Sequence, residues 1–117
     1  MTKLEFLQKN VFTDLQNLNT GFDADDNFYF SELDFAMVLE RIEYFGIGIH
    51  AIKPYINEEF GTTKTNEDYR KKATDAKWYK RAYFDLKKAT PKMIYNADYK
   101  VSAKLLNKDE NNTNEAN

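Results

Sequence analysis

The stretch GFDADDNFYFSELDF, residues 21–35, has the residue types and spacing most suited to chemistry in this chain. Acidic, amide and hydroxyl side chains recur from Asp23 to Ser31, and a further carboxylate follows at Asp34. Oxygen atoms in such a series suit a hard cation, since calcium takes about six to eight oxygen ligands. The candidate ligands are Asp23, Asp25, Asn27, the Tyr29 carbonyl, Ser31 and Asp34.

This spacing resembles the calcium loop of an EF-hand, with an amphipathic helical pattern before it and another after it. Phe28 departs from the family pattern, because that position requires a glycine backbone conformation that is costly for residues with a Cβ. Asp34 also departs from it, since a longer glutamate normally binds there through both oxygens. We therefore favour an acidic turn in which Ser31 and Asp34 cap the next helix, and we expect no bound metal.

Other arrangements typical of catalysis are missing from the sequence. His50 is the single histidine, cysteine is absent, and neither Ser31 nor Ser102 lies in a nucleophile-elbow pattern. The chain also lacks a Gly-rich phosphate loop and an HExxH motif. Glu58 and Glu59 form an adjacent carboxylate pair, which is more typical of solvated surface than of acid–base catalysis. We expect a protein that is not an enzyme and needs no cofactor.

A basic segment rich in aromatic residues, 70–92, offers a different kind of site. It holds 9 lysines and arginines against 2 aspartates, and cations beside aromatic rings can contact phosphates and stack on bases. Nucleic-acid binding is therefore an alternative, although the net charge of −2 disfavours it. In the competing interpretation, these cations lie on the solvent-exposed outer face of a helix and bind no nucleic acid. The candidate cations are Lys77, Lys80, Arg81, Lys87 and Lys88.

The composition is that of a folded chain with uneven charge. The 117 residues suffice for one domain, and 42% of them are hydrophobic. Residues 1–69 hold 5 basic against 13 acidic side chains. We expect a single domain over 1–106 and a polar, disordered tail over 107–117. The absence of cysteine, of a signal-like start and of a long apolar run favours a cytoplasmic protein without membrane association.

Hydrophobic periodicity predicts helices and a small sheet. Helices are expected over 2–19, 32–45, 66–73 and 75–89, and strands over 47–53 and 93–102. Pro54 is expected to end the first strand, and residues 28–30 either add a third strand or leave the sheet to be covered by helices. The fold class is α+β, with three main helices packed on a small antiparallel sheet in a single compact domain.

The remaining interpretation is a protein that binds another protein. Tyrosine and tryptophan are common interface anchors, and clustered carboxylates steer a basic partner towards its binding surface. The runs FGIGIHAIKPYINEEF (45–60) and DAKWYKRAYFDL (75–86) resemble, in their layout, small bacterial immunity-type proteins. That resemblance implies an inhibitor that neutralises a cognate toxin. The expected contact residues are Asp23, Asp25, Asp26, Tyr29, Tyr55, Glu58 and Glu59.

Overall fold

The computed structural model describes residues 1–107 and shows an α+β fold, as expected. The helices of eight or more residues in this range are α1 (Lys3–Asn10), α2 (Glu32–Phe45) and α3 (Ala76–Ala89). The strands are β1 (Gly48–Ile56), β2 (Glu59–Phe60), β3 (Lys64–Thr65) and β4 (Ile94–Lys100). Residues 103–107 are also helical. The tail expected over 107–117 lies outside the described residues, apart from its first residue.

β1 is the central strand of an antiparallel sheet. β4 pairs along one edge of β1, from Gly48↔Lys100 to Tyr55↔Ile94. β2 and β3 pair with the other edge, where they follow one another along β1. α3 contacts β1 and α2 contacts β4, so these helices cover one face of the sheet. The core between them includes stacked rings of Phe35 and Tyr95, 5.2 Å apart.

The two long helices begin and end at the residues that the sequence indicates. The Ser31 hydroxyl accepts a 3.2 Å hydrogen bond from the Asp34 amide at the start of α2. Gly46 ends that helix in a left-handed conformation, φ 68°. The Asp75 side chain caps α3, whose stripe of Trp78, Ala82 and Leu86 is buried.

The helix expected over 2–19 is wrong beyond Asn10. The Arg41 guanidinium, on α2, donates 2.8 Å hydrogen bonds to the carbonyls of Val11 and Thr13. Asp14 then adopts a left-handed backbone conformation, φ 66°. The chain therefore leaves the helix because a distant arginine binds carbonyls that helix continuation would use, although leucines continue the helical spacing.

The first strand was expected to end at Pro54, and that expectation is wrong, since β1 continues to Ile56. Pro54 lies opposite Tyr95 of β4, whose backbone N–H and C=O point away from β1 and bond to Phe30, both at 2.9 Å. Pro54 therefore needs no backbone N–H to pair with β4. The same contact is an isolated bridge, so residues 28–30 add one pairing and not a third strand.

The short helix expected over 66–73 is also wrong, because this segment forms turns. Arg70 has a left-handed backbone, φ 55°, which interrupts any helix. The Asn66 side chain closes the turn by donating a 3.0 Å hydrogen bond to the Lys71 carbonyl.

Candidate functional site

The acidic loop is organised by the side-chain amide of Asn19. Its Nδ2 donates hydrogen bonds to the carbonyls of Asp23 (3.2 Å), Ala24 (3.0 Å) and Asn27 (2.9 Å). Its Oδ1 accepts a 2.9 Å bond from the amide of Gly21, where φ of 113° requires glycine. One amide thus holds the loop closed from inside. Sequence reasoning missed Asn19, whose only signal is an amide side chain able to form local turns.

Three of the six groups proposed as calcium ligands, those of Asp23, Tyr29 and Ser31, accept hydrogen bonds from protein donors. Asp23 Oδ1 accepts the Ala24 amide at 2.8 Å, and Oδ2 accepts both the Tyr29 hydroxyl at 2.7 Å and Asn27 Nδ2 at 3.1 Å. The Tyr29 carbonyl accepts the Leu18 amide at 2.7 Å. Ser31 Oγ, the next candidate, is the helix cap described above.

No group of three or more histidine, aspartate or glutamate side chains within residues 1–107 is placed to hold a metal ion. Phe28, at the position where the EF-hand requires glycine, stacks on Phe12 with ring centroids 5.3 Å apart. The geometry therefore gives the EF-hand interpretation no support and favours an acidic turn that leads into α2.

Tyr29 lies under this loop as a buried hydrogen-bond donor. Its hydroxyl bond to Asp23 is the main cause that lowers the pKa of that carboxyl below its ordinary value of 3.8. Burial, together with the Asp23 carboxylate, raises the pKa of the Tyr29 hydroxyl, which therefore stays protonated. The Tyr29 side chain is only 1% exposed, so the ring expected to anchor a partner is inaccessible. This corrects its proposed role as an exposed contact.

Three other rings form an exposed aromatic patch on the face of the sheet opposite the helices. Phe22 stacks on Tyr55 with centroids 3.8 Å apart and planes inclined by 6°. Phe60 meets the edge of Tyr55 at 5.1 Å and is 59% exposed. Phe22 thereby joins the acidic loop to the β1–β2 hairpin. The aromatic patch is Phe22, Tyr55 and Phe60; the sequence indicated only Tyr55.

The proposed acidic contacts differ in their exposure and direction. Asp25 and Asp26 are exposed a few residues beyond Phe22, and Glu58 is exposed in the hairpin turn. These three carboxylates make no ion pair with any residue of the 1–107 range. Glu59 is paired with Ile56 whereas Phe60 is paired with Tyr55, so strand alternation directs Glu59 to the opposite face. Asp25, Asp26 and Glu58 are therefore exposed, whereas Glu59 points to the opposite face of the hairpin from Phe60.

The basic segment is partly neutralised within the fold. Lys80 pairs with Glu43 and lies 3.7 Å from Glu40, both on α2. Arg81 pairs with Asp85 at 3.1 Å, one turn further along α3. This arrangement fits a solvated outer face for α3.

The other candidate cations lie on the exposed side of α3. Lys87 lies 4.9 Å from the ring centroid of Tyr83, and Lys88 lies 6.0 Å from that of Phe84. Lys77 is exposed. These lysines form a cationic surface on the helix side of the sheet, away from the aromatic patch.

Comparison of the chain with protein-family models, curated proteins and solved structures finds no match. Within the described range, every helix is too short or too polar to cross a bilayer.

Proposed function

We propose that this protein binds another protein through the aromatic patch and the carboxylates of Asp25, Asp26 and Glu58, and that it acts as an inhibitor. The immunity-type layout noted in the sequence favours a bacterial toxin as the partner. The observation that carries the proposal is Phe60, more than half exposed against a stacked Phe22–Tyr55 pair. A large aromatic ring held rigid and left in water is a common anchor of protein interfaces.

Charge supports the same surface. Asp25, Asp26 and Glu58 are exposed and form no ion pair with described residues, so we infer that they give this part of the surface a negative potential. Such a field accelerates encounter with a basic partner and sets the orientation of docking. We therefore expect a partner whose contact surface carries lysine or arginine around an apolar cleft that accepts Phe60.

The proposed mode of action is steric occlusion, which needs neither a cofactor nor a catalytic group. His50 is exposed on β1, and no serine or carboxylate of the 1–107 range hydrogen-bonds to it. We propose the cytoplasm as the compartment, since a chain without cysteine has no need of an oxidising environment.

Co-expression with the products of adjacent genes tests this proposal. We expect one of these products to arrest growth alone and to be neutralised by the wild-type chain. Neutralisation should be lost with Phe60→Ser combined with Glu58→Lys. The matched control is Lys87→Glu combined with Lys88→Glu, which changes charge on the helix side and should leave neutralisation intact.

Association kinetics with the purified partner give a second measurement. Reversal of Asp25 and Asp26 to lysine should slow association and weaken its dependence on salt. The surface assignment would be wrong if both quantities stayed unchanged, or if the Phe60 double variant neutralised as well as wild type. A failure of all adjacent products to arrest growth would contradict the toxin partner.

A further inference from the structure

The outer edge of β4 lacks a backbone partner among the described residues at Ala97, a residue that is 5% exposed. Tyr95 directs its backbone N–H and C=O to this edge, where Phe30 bonds to both at 2.9 Å. In an antiparallel strand every second residue points its backbone groups to the same side, so those of Ala97 and Tyr99 also face outwards. Lys3 Nζ donates to the Tyr99 carbonyl at 3.3 Å. Throughout residues 1–107, no hydrogen bond from the outer side reaches the Ala97 N–H or C=O.

The edge is open because the chain before Phe30 turns away from β4. Tyr29 uses its N–H to bond Asn17 Oδ1 at 3.0 Å and its carbonyl to bond the Leu18 amide at 2.7 Å. These bonds tie the segment to the preceding loop, so Phe28 does not continue the pairing towards Ala97. The space left between β4, α1 and the acidic loop is a cavity of about 210 Å³.

The lining of this cavity combines an apolar wall with charged groups. Lys3 lines the cavity and donates its hydrogen bond to the Tyr99 carbonyl. Asp98 forms an ion pair with Lys53 at 3.2 Å. Asp26 lines the cavity without an ion pair to any described residue, and it is exposed. The apolar wall consists of Leu4, Leu7, Phe12 and Phe28.

We propose that this edge receives a short extended segment of the partner protein, which pairs with Ala97 as an added strand and sets a basic side chain against Asp26. An extended backbone supplies the acceptor and donor that the outward N–H and C=O of Ala97 require. An alternate side chain of the same segment reaches the apolar wall. The inference rests on the proposed function, since Asp26 belongs to both surfaces.

The exposed Asp26 carboxylate argues for a basic partner segment over the remainder of this chain, while the cation that lines the cavity, Lys3, is held by the Tyr99 carbonyl. Residues 108–117 contain one lysine against three acidic residues, so they match poorly with the unpaired Asp26. A partner segment with lysine or arginine at alternate positions matches it well. The same chemistry is expected of a partner drawn to the acidic side of the sheet.

The test uses the full chain labelled with nitrogen-15 and short capped peptides as probes. The first peptide alternates lysine and valine; the second carries an N-methyl group on its central valine; the third has glutamate in place of lysine. We expect the first peptide to shift the Ala97 amide resonance and to slow its hydrogen exchange. The other two should bind at least about tenfold more weakly, because one lacks the pairing amide and the other repels Asp26.

Two exposed acidic residues provide a matched pair of variants. Asp26→Lys should abolish binding of the lysine peptide, whereas Glu67→Lys, also exposed but outside both the cavity and the proposed binding surface, should change its affinity by about twofold or less. The proposal is overturned if the lysine peptide leaves Ala97 unchanged, or if the three peptides bind alike. It is also overturned if deletion of 108–117 is needed before any peptide binds, since the tail would then be the occupant.

The two proposals fail separately. If the peptide binds at Ala97 but no adjacent gene product is neutralised, the proposal of a toxin partner is contradicted and strand addition at β4 is supported. If neutralisation depends on Phe60 but no peptide affects Ala97, the proposal of strand addition is contradicted and the aromatic patch is supported as the contact surface.

Discussion

The Tyr29 hydroxyl donates a 2.7 Å hydrogen bond to Asp23 Oδ2 and thereby ties the acidic loop to a buried ring that packs against Phe22 and Tyr55. Tyr29 is buried beside the Phe22 ring, at 4.8 Å, so the same contact supports the aromatic patch from beneath. The shape of the proposed binding surface therefore depends on a buried residue.

Tyr29→Phe should lower the free energy of unfolding by about 1–2 kcal/mol at pH 7, because the carboxylate loses its strongest donor. Urea denaturation measures this change. The Asp23 pKa should rise towards 3.8, as followed by carboxyl NMR titration.

The pH dependence of the Tyr29→Phe effect has a definite sign. Since the folded-state pKa of Asp23 lies below 3.8, its stabilisation is present above that pH and is lost as pH falls through the folded-state value. The difference between wild type and Tyr29→Phe should therefore shrink below about pH 4. An equal difference at pH 7 and pH 3 would contradict the assigned hydrogen bond.

Asn19→Ala should destabilise the fold by about 2 kcal/mol, because three loop carbonyls lose their common donor. Thr20→Ala is the matched control, since that neighbour is exposed and its change should stay within about 0.5 kcal/mol. Thermal melting of both variants measures the effect. Equal melting temperatures for the two variants would show that the amide does not hold the loop.

Millimolar calcium should leave the melting temperature of the wild-type chain unchanged. A ligand that binds only the folded state raises its stability. Here Asp23 and the Tyr29 carbonyl are engaged by protein donors, and Ser31 caps α2. A rise in melting temperature with calcium, absent with magnesium at equal ionic strength, would restore the EF-hand hypothesis.

The elements that could be predicted from sequence are those specified by local signals. α2 carries its apolar stripe between the Ser31 cap and Gly46, so neighbours in the chain determine both ends. The end of α1 depends on Arg41, about thirty residues away, and periodicity does not contain that information. Pro54 likewise looked like a strand end because the direction of the Tyr95 backbone groups is set by tertiary pairing.

The candidate site divides in the same way between local and tertiary information. Charge clustering selected Asp25, Asp26 and Glu58, and these side chains are exposed. The stacking of Phe22 on Tyr55 joins residues far apart in the chain, so no spacing rule could pair them. Tyr29 is buried beside the rings of Phe22 and Tyr55, a tertiary contact that composition does not reveal.

Glu58→Gly should stabilise the protein by about 0.5–1 kcal/mol. Asn57 and Glu58 form a two-residue hairpin turn with φ of 52° and 65°, a type I′ geometry that favours Asn-Gly. Glu59→Gly is the contrasting variant, because Glu59 lies in β2 and glycine weakens a strand. Chemical denaturation should show opposite signs, and destabilisation by Glu58→Gly would contradict the turn geometry.

Tyr95→Phe and Tyr99→Phe should leave stability unchanged or raise it by up to about 1 kcal/mol. Both hydroxyls are buried without a hydrogen-bond partner in the described part of the chain, so each bears a desolvation cost that phenylalanine avoids. The internal comparison is Tyr29, whose hydroxyl is hydrogen-bonded. Tyr29→Phe should therefore change the free energy of unfolding in the opposite direction.

The loss of stability at alkaline pH distinguishes the desolvation of these hydroxyls from a change in side-chain packing. Burial raises the pKa of Tyr95 and Tyr99 above the ordinary value of 10.0, so they stay protonated in the fold while the unfolded chain ionises. Stability must then fall as pH rises above about 10, since the folded state binds more protons. Each phenylalanine variant removes one such group, so its loss of stability between pH 9 and 11 should be smaller than that of wild type. An alkaline loss identical to wild type in both variants would show that these hydroxyls ionise freely and reach solvent or a donor.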